Sequence, residues 1–237
     1  MPRHLLAAVL IVVVGPSVTV AAADADPLVG KFELGYLATS GNTDTSSLNA
    51  KLALSYDAQQ WRHSLNAAVI HAEDSGVTTA ERNQAGAKSD YKFNEFDYLF
   101  ITVNWEQDRF AGFDQRTSEA IGYGRRILKS ERHSLDGEVG AGARQTSPVV
   151  GPDVSETILR ASAKYQWRFG EGATFDQSLI VESGESNTYT ESVSAVAAKL
   201  VGAWSMKFSY TIKNNSDVTP GLENTDTYTA VGLEYTF

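Results

Sequence analysis

The sequence predicts an all-β fold, a transmembrane, antiparallel, up-and-down β-barrel of about 12 strands. Three observations predict it. Almost everywhere after Gly30 apolar and polar residues alternate with period two, and successive side chains of a strand leave opposite faces. The amino terminus reads as an export signal. The alternating runs exceed the roughly five or six residues of a soluble strand and reach the roughly nine to eleven that cross a bilayer at a tilt.

Residues 1–23 form the predicted signal: Arg3 and His4, an apolar run from Leu5 to Val14, and small residues from Ala21 to Ala23, with cleavage expected after Ala23. The apolar run is too short for a spanning helix, and Gly15 and Pro16 follow it. Residues 24–29 are a short lead and 30–237 the barrel domain. Strands are expected at 30–39 and 44–57, divided by SGNTDT, and at 60–72 after DAQQ. EDSGVTT separates these from 79–93, FNEFD from 96–109, and DRFAGFDQ from 115–129. A tight turn from Lys129 to Glu131 leads into 131–145, and TSPVVGPD into 155–169. GEGA and SGESNT flank 173–184, after which 188–203, 205–214 and, beyond NNSDVTPGLENTD, 225–237 complete the set.

Four runs carry the pattern most plainly. Leu48, Ala50, Leu52, Leu54 and Tyr56 alternate with Asn49, Lys51, Ala53, Ser55 and Asp57. Leu159, Ala161, Ala163, Tyr165, Trp167 and Phe169 alternate with a set holding Arg160, Lys164 and Arg168. Met206, Phe208, Tyr210 and Ile212 face away from Lys207, Ser209, Thr211 and Lys213. In TYTAVGLEYTF, Val231, Leu233, Tyr235 and Phe237 form one face, and Tyr228, Ala230, Gly232 and Glu234 the other. A terminal strand of this kind needs a partner, since loose ends fray. Tight connections alternate with longer ones, the layout of an outer-membrane barrel.

Alternation alone does not choose between a soluble sandwich and a barrel in lipid. The export signal, the even strand count and the strand length favour lipid, where every backbone group must pair within a closed sheet. Aromatic residues near strand ends are expected to form interfacial girdles: Tyr36, Tyr56, Trp61, Tyr91, Phe96, Phe110, Trp167, Phe169, Trp204, Tyr235 and Phe237. Twelve strands close at a radius of roughly 12 Å, between a filled eight-stranded barrel and a wide porin. The inward face is then expected to carry Lys31, Glu33, Lys51, Arg62, Arg82, Lys88, Asp90, Glu106, Asp136, Glu138, Arg144, Arg160, Lys164, Arg168, Glu182, Lys207 and Glu234. Mixed signs of this kind either knit a polar plug or line a narrow water-filled pore.

Chemistry is sparse. Without residues 1–23 the chain keeps 19 of its 20 Lys and Arg against 29 Asp and Glu. That balance excludes a nucleic-acid footprint. There is no cysteine, hence no disulfide and no thiolate metal site. HExxH, GxSxG and P-loop patterns are absent. No catalytic residue, cofactor or metal ligand is therefore expected. The alternative is a phospholipase-like, lipid-modifying barrel, for which His63 with Ser64 or His133 with Ser134 would serve. Strand neighbours point to opposite faces, however, so neither pair can meet. The stretch NWEQDRFAGFDQR is expected to form a loop clamped by an ion-pair cluster of Asp108, Arg109, Asp114 and Arg116.

Several segments carry a resemblance: YLATSGNTDTSSLNAKLALSY, residues 81–127 with DRFAGFDQR inside them, EVGAGAR and DTYTAVGLEYTF. On these the chain resembles the YdiY-like family of uncharacterised, salt-induced outer-membrane proteins, a domain of unknown function. The resemblance covers nearly everything after the signal. It implies an outer-membrane barrel of Gram-negative bacteria, a structural or envelope-stress role or a narrow pore, and no ligand to carry onto residues here. It also implies that Tyr235 and Phe237 are an assembly signal, read transiently by the outer-membrane barrel assembly machinery, with outer-membrane lipid as the lasting partner.

Overall fold

A computed structural model describes residues 27–40, 45–74, 77–108, 111–219 and 221–237. The expected signal and its cleavage point at Ala23 lie outside these residues. The described residues form twelve strands: β1 (Leu28–Ser40), β2 (Thr45–Asp57), β3 (Trp61–Asp74), β4 (Val77–Lys92), β5 (Asp97–Asp108), β6 (Phe113–Lys129), β7 (His133–Pro148), β8 (Val154–Phe169), β9 (Ala173–Ser183), β10 (Thr188–Val201), β11 (Trp204–Asn215) and β12 (Thr225–Thr236). Each pairs antiparallel with its sequence neighbours, and β12 pairs with β1, so the sheet closes on itself. Closure leaves no strand edge unpaired, which is what lets a sheet sit in hydrocarbon.

The strands are longer than the sequence suggests at the rim away from the chain ends. β4 begins at Val77 rather than 79, β6 at Phe113 rather than 115, and β7 runs on to Pro148, three residues into the stretch expected as a turn. Backbone pairing there outlasts the alternation: Phe113 opposes Pro148 and Gln115 opposes Ser147. Above the apolar band a ladder needs only its own hydrogen bonds, so Thr and Ser extend it without an apolar face. The contrast between short and long connections is correspondingly weaker than the sequence suggests, since β3 and β4 are separated by residues 75–76 alone. At the other rim β1 starts at Leu28, inside the expected lead, because Leu28 already opposes Tyr56.

Register fixes the barrel's shape. Following Cα partners strand by strand round the wall, a position on β1 returns to β1 about 16 residues farther along. Twelve strands with that stagger tilt about 42° and enclose a radius of about 12 to 13 Å.

The molecule is inside out relative to a water-soluble protein. Among the described residues the largest fully buried side chains are Arg144, Phe100, Ile158 and Asp90, whereas charged residues are almost never fully buried in soluble proteins unless paired. Leu65, Val69, Ile101, Ile121, Val139 and Leu159 are exposed along the outer wall. At the rim holding the chain ends, outward rings touch one another: Trp61 with Tyr91 at 5.1 Å, Trp167 with Phe169 at 4.9 Å, Trp204 with Tyr235 at 4.9 Å and Tyr235 with Phe237 at 6.0 Å. Tyr56 and Phe96 lie on this rim too. Phe110 and the side chain of Tyr36 lie outside what is described.

Phe237 closes the seam. Its backbone exchanges hydrogen bonds with Gly30, at 2.7 and 2.9 Å, and its ring occupies the space that a Cβ on Gly30 would enter. Inside the wall, Gly124 makes room for a ring in the same way: a Cβ there would lie 2.2 Å from the Tyr98 ring. Gly124→Ala is expected to push Tyr98 from its seat and destabilise the barrel by about 1–3 kcal/mol. Urea unfolding in phospholipid vesicles measures this.

Candidate functional site

The candidate functional surface is the lumen, and its inward side chains sort by height into three zones. The first lies toward the rim away from the chain ends. There Glu106 of β5 accepts hydrogen bonds from Arg82 of β4, from Arg116 of β6 at 3.0 Å and from Lys213 of β11 at 3.0 Å. Lys213 also reaches Glu191 of β10, at 3.1 Å. Arg144 of β7 bonds Glu156 of β8 at 2.7 Å, and Arg160 pairs with Glu182 of β9. Aromatic faces fill the gaps: Arg116 lies 4.3 Å from the Tyr189 ring centre and 4.4 Å from that of Phe113, and Arg82 lies 4.9 Å from that of Tyr228.

The Glu106–Lys213 contact joins strands on opposite sides of the ring. A circular barrel with this stagger would be about 25 Å across. Two side chains and a hydrogen bond reach roughly half of that. The section is therefore oval at this height, and the ion pair stands across its short axis.

The second zone lies near the rim that holds the chain ends. Lys207 of β11 sits between Glu33 at 2.8 Å and Glu234 at 3.1 Å, and Lys31 reaches Glu234 at 3.0 Å. Lys51 lies 3.7 Å from Glu33. Asp90 takes both Arg62 at 2.7 Å and Lys88 at 2.8 Å. Glu138 accepts from Lys88, from Tyr98 at 2.9 Å and from Ser162 at 3.0 Å. Arg126 forks onto Asp136 at 2.7 and 3.1 Å, the geometry that makes Arg–carboxylate pairs strong. In the turn outside the wall, hydrogen bonding by Lys129 holds the Glu95 carboxyl below its usual range.

Between these zones the wall carries uncharged polar and small side chains: Asn49, Asn66, Gln84, Thr102, Asn104 and Ser209. They border cavities of about 270 and 540 Å³, roomy enough for water and offering it these polar side chains as partners.

All the charges predicted for the lumen, from Lys31 to Arg168, occupy the inward parity of their strands. The expected loop cluster is not a loop cluster. Asp108 and Arg116 are buried inward residues of β5 and β6, Asp114 is exposed, and Arg109 lies outside the described residues. DRFAGFDQR reads as a long turn because its Gly and Asp are turn formers, but pairing resumes at Phe113 and carries Arg116 into the wall. Sequence reasoning missed Glu156, Glu191, Tyr98 and Tyr189. Period two was the available signal, yet along β10 Val193 and Ala195 face inward while Val196 faces out, so apolar residues occupy both parities and hide Glu191.

The outer face holds a Ser–His contact that no local pattern indicated, with His63 Nδ1 2.9 Å from Ser89 Oγ. Among the described residues no carboxylate or amide orients the second ring nitrogen, and the His63 ring stacks on Trp61. A hydrolase triad needs that third group. Among the described residues no group of three or more His, Cys, Asp or Glu is placed to hold a metal ion.

Comparison with known proteins gives the fold and the family. The NanC porin superposes with a TM-score of 0.59 at 11% identity, covering 86% of this chain and 98% of the porin. The KdgM porin in complex with disordered oligogalacturonate superposes at 0.50 with 15% identity, covering 87% and 99%. The translocator domain of autotransporter NalP from Neisseria meningitidis does so at 0.50 with 10% identity, covering 91% and 90%. In sequence, the chain is 30% identical over 210 residues to uncharacterized protein YdiY of Escherichia coli (strain K12), covering 88% of this chain and 83% of that protein. The family described as "Protein of unknown function, DUF481" matches residues 32–237, and this closed twelve-stranded barrel belongs to it.

Proposed function

We propose that this protein is an integral outer-membrane barrel with a structural, envelope-stress role, its lumen plugged by ion pairs against free diffusion. One observation carries the reading: the salt bridge from Lys213 to Glu106 stands across the bore, braced by Arg82 and Arg116. The apolar outer wall and the likeness to outer-membrane porins support the location. The rim with the chain ends and the aromatic girdle then faces the periplasm. Single-channel recording in planar bilayers tests the plug. The wild-type barrel is expected to pass almost no current, and the Glu106→Ala, Lys213→Ala pair of substitutions to open steady conductance. A wild-type protein conducting like an open porin would overturn the proposal.

The second reading is a narrow pore, favoured by the mid-barrel cavities and by the porin fold. It predicts small but persistent wild-type current. A lipid-modifying activity has only the His63–Ser89 contact behind it, and lipid turnover by the purified barrel is its test.

The seam at Gly30 suits Phe237 to a role in assembly. Deleting Phe237 is expected to lower the amount of folded barrel in outer-membrane fractions, scored by heat-modifiable gel mobility. Unchanged yield would remove the addressing role.

A further inference from the structure

The mouth at the rim of the chain ends, which the orientation proposed above turns toward the periplasm, holds a cavity of about 470 Å³ inside the wall. Arg62 and Lys164 line it from above, Arg126 and Lys129 from β6, Arg132 from the β6–β7 turn and Arg168 from the end of β8. Among the described residues Asp136 is the one carboxylate on its lining, and both its oxygens accept from Arg126. Arg62 is held by Asp90, and Lys129 by Glu95. Asp176 nearby accepts from Gln166, at 2.8 Å. Among the described residues Arg132, Lys164 and Arg168 form no ion pair with a carboxylate; Arg168 makes only a 3.4 Å hydrogen bond to the Glu131 carbonyl. Both rims expose carboxylates, Asp114, Asp153, Glu185, Asp217 and Glu223 at the opposite mouth and Asp57, Glu95, Glu131 and Glu171 at this one, but the latter four lie off the cavity lining.

This is an excess of cations gathered in a concave site, in a chain whose net charge is −9. Cations that only solubilised the rim would stand apart on its outside. These instead converge on one cavity, and their fields add where water is partly excluded. Arg forks and Lys ammonium groups match the oxygens of phosphates and carboxylates. The volume lies at the small end of ligand pockets.

We propose that the periplasmic mouth is a binding site for a small, multiply charged anion bearing phosphate or carboxylate groups, entering from the periplasm. Its binding does not require the plug to open, so it stands apart from the conductance question. The anion is free in solution rather than a phospholipid headgroup, because the cavity opens into the bore while lipid lies against the outer wall.

Inorganic pyrophosphate is the probe, titrated calorimetrically into the barrel in nanodiscs of zwitterionic lipid. Saturable binding is expected, weakened at least tenfold by Lys164→Gln together with Arg168→Gln. Raising salt to about 0.15 M, where the screening length is about 8 Å, is expected to weaken it too. Heat-modifiable mobility confirms that the double variant is folded, and Arg125→Gln, which removes a cation from the outer face, serves as a control that leaves binding unchanged. Equal binding by wild type and double variant, or no saturable binding, overturns the proposal, as does equal binding of a neutral disaccharide. In parallel discs made with increasing phosphatidylglycerol, loss of pyrophosphate binding in proportion to that lipid would assign the site to a lipid headgroup and overturn the free-anion reading.

Discussion

Glu106→Gln is expected to destabilise the barrel by about 3–5 kcal/mol, the cost of breaking a buried ion pair from one side. Arg82, Arg116 and Lys213 all point at this carboxylate, and every one of them is buried. Glutamine keeps the shape but removes the charge, so three cations would face one another with little water to screen them. Asp108 and Glu191 remain nearby, the first 3.5 Å from Arg82 and the second 3.1 Å from Lys213, which keeps the loss finite. Lys213→Met in the same background should recover part of it, because the pair of substitutions removes both members of the cross-bore contact. Urea unfolding in phospholipid vesicles measures both variants against the wild type. A change below about 1 kcal/mol for Glu106→Gln, typical of exposed pairs, would mean that water reaches this layer freely and that no plug exists.

Ile121→Lys is expected to cost about 2–4 kcal/mol, the range for a cation placed on the lipid face near the bilayer midplane. Ile121 lies near mid-height on the outer wall and is 62% exposed. Val150→Lys provides the contrast. Val150 is more exposed still, at 71%, but lies in the β7–β8 connection beyond the apolar band, so its substitution should stay within about 0.5 kcal/mol. In water both positions would tolerate lysine equally. The same unfolding assay in vesicles decides, and equal, small effects at the two positions would place the outer wall in water.

Much of the architecture is readable without coordinates because a strand's side-chain period is local. The parity of Leu159, Ala161 and Ala163 against Arg160 and Lys164 separates the two faces of β8 by itself, and tight connections such as the one after Lys129 mark one rim. Local reading fails where the pattern is degenerate, as along β10. It also fails where turn-forming residues precede a strand that starts anyway, as at Phe113. Neither failure concerns the number of strands.

Sequence alone determined that twelve long ribbons with one oily and one charged side must close on themselves, since period two and strand length follow from the chain's own stereochemistry. Only the tertiary structure decided which charges meet. Glu106 and Lys213 are 107 residues apart, and they face each other because the stagger and the oval section bring β5 and β11 together across the bore. That juxtaposition is a property of closure, to which all twelve strand registers contribute, and no stretch of sequence holds it. The basic mouth arises in the same way, from Arg62 of β3, Arg132 of the β6–β7 turn, and Lys164 and Arg168 of β8, three segments far apart in sequence that meet at one end of the bore.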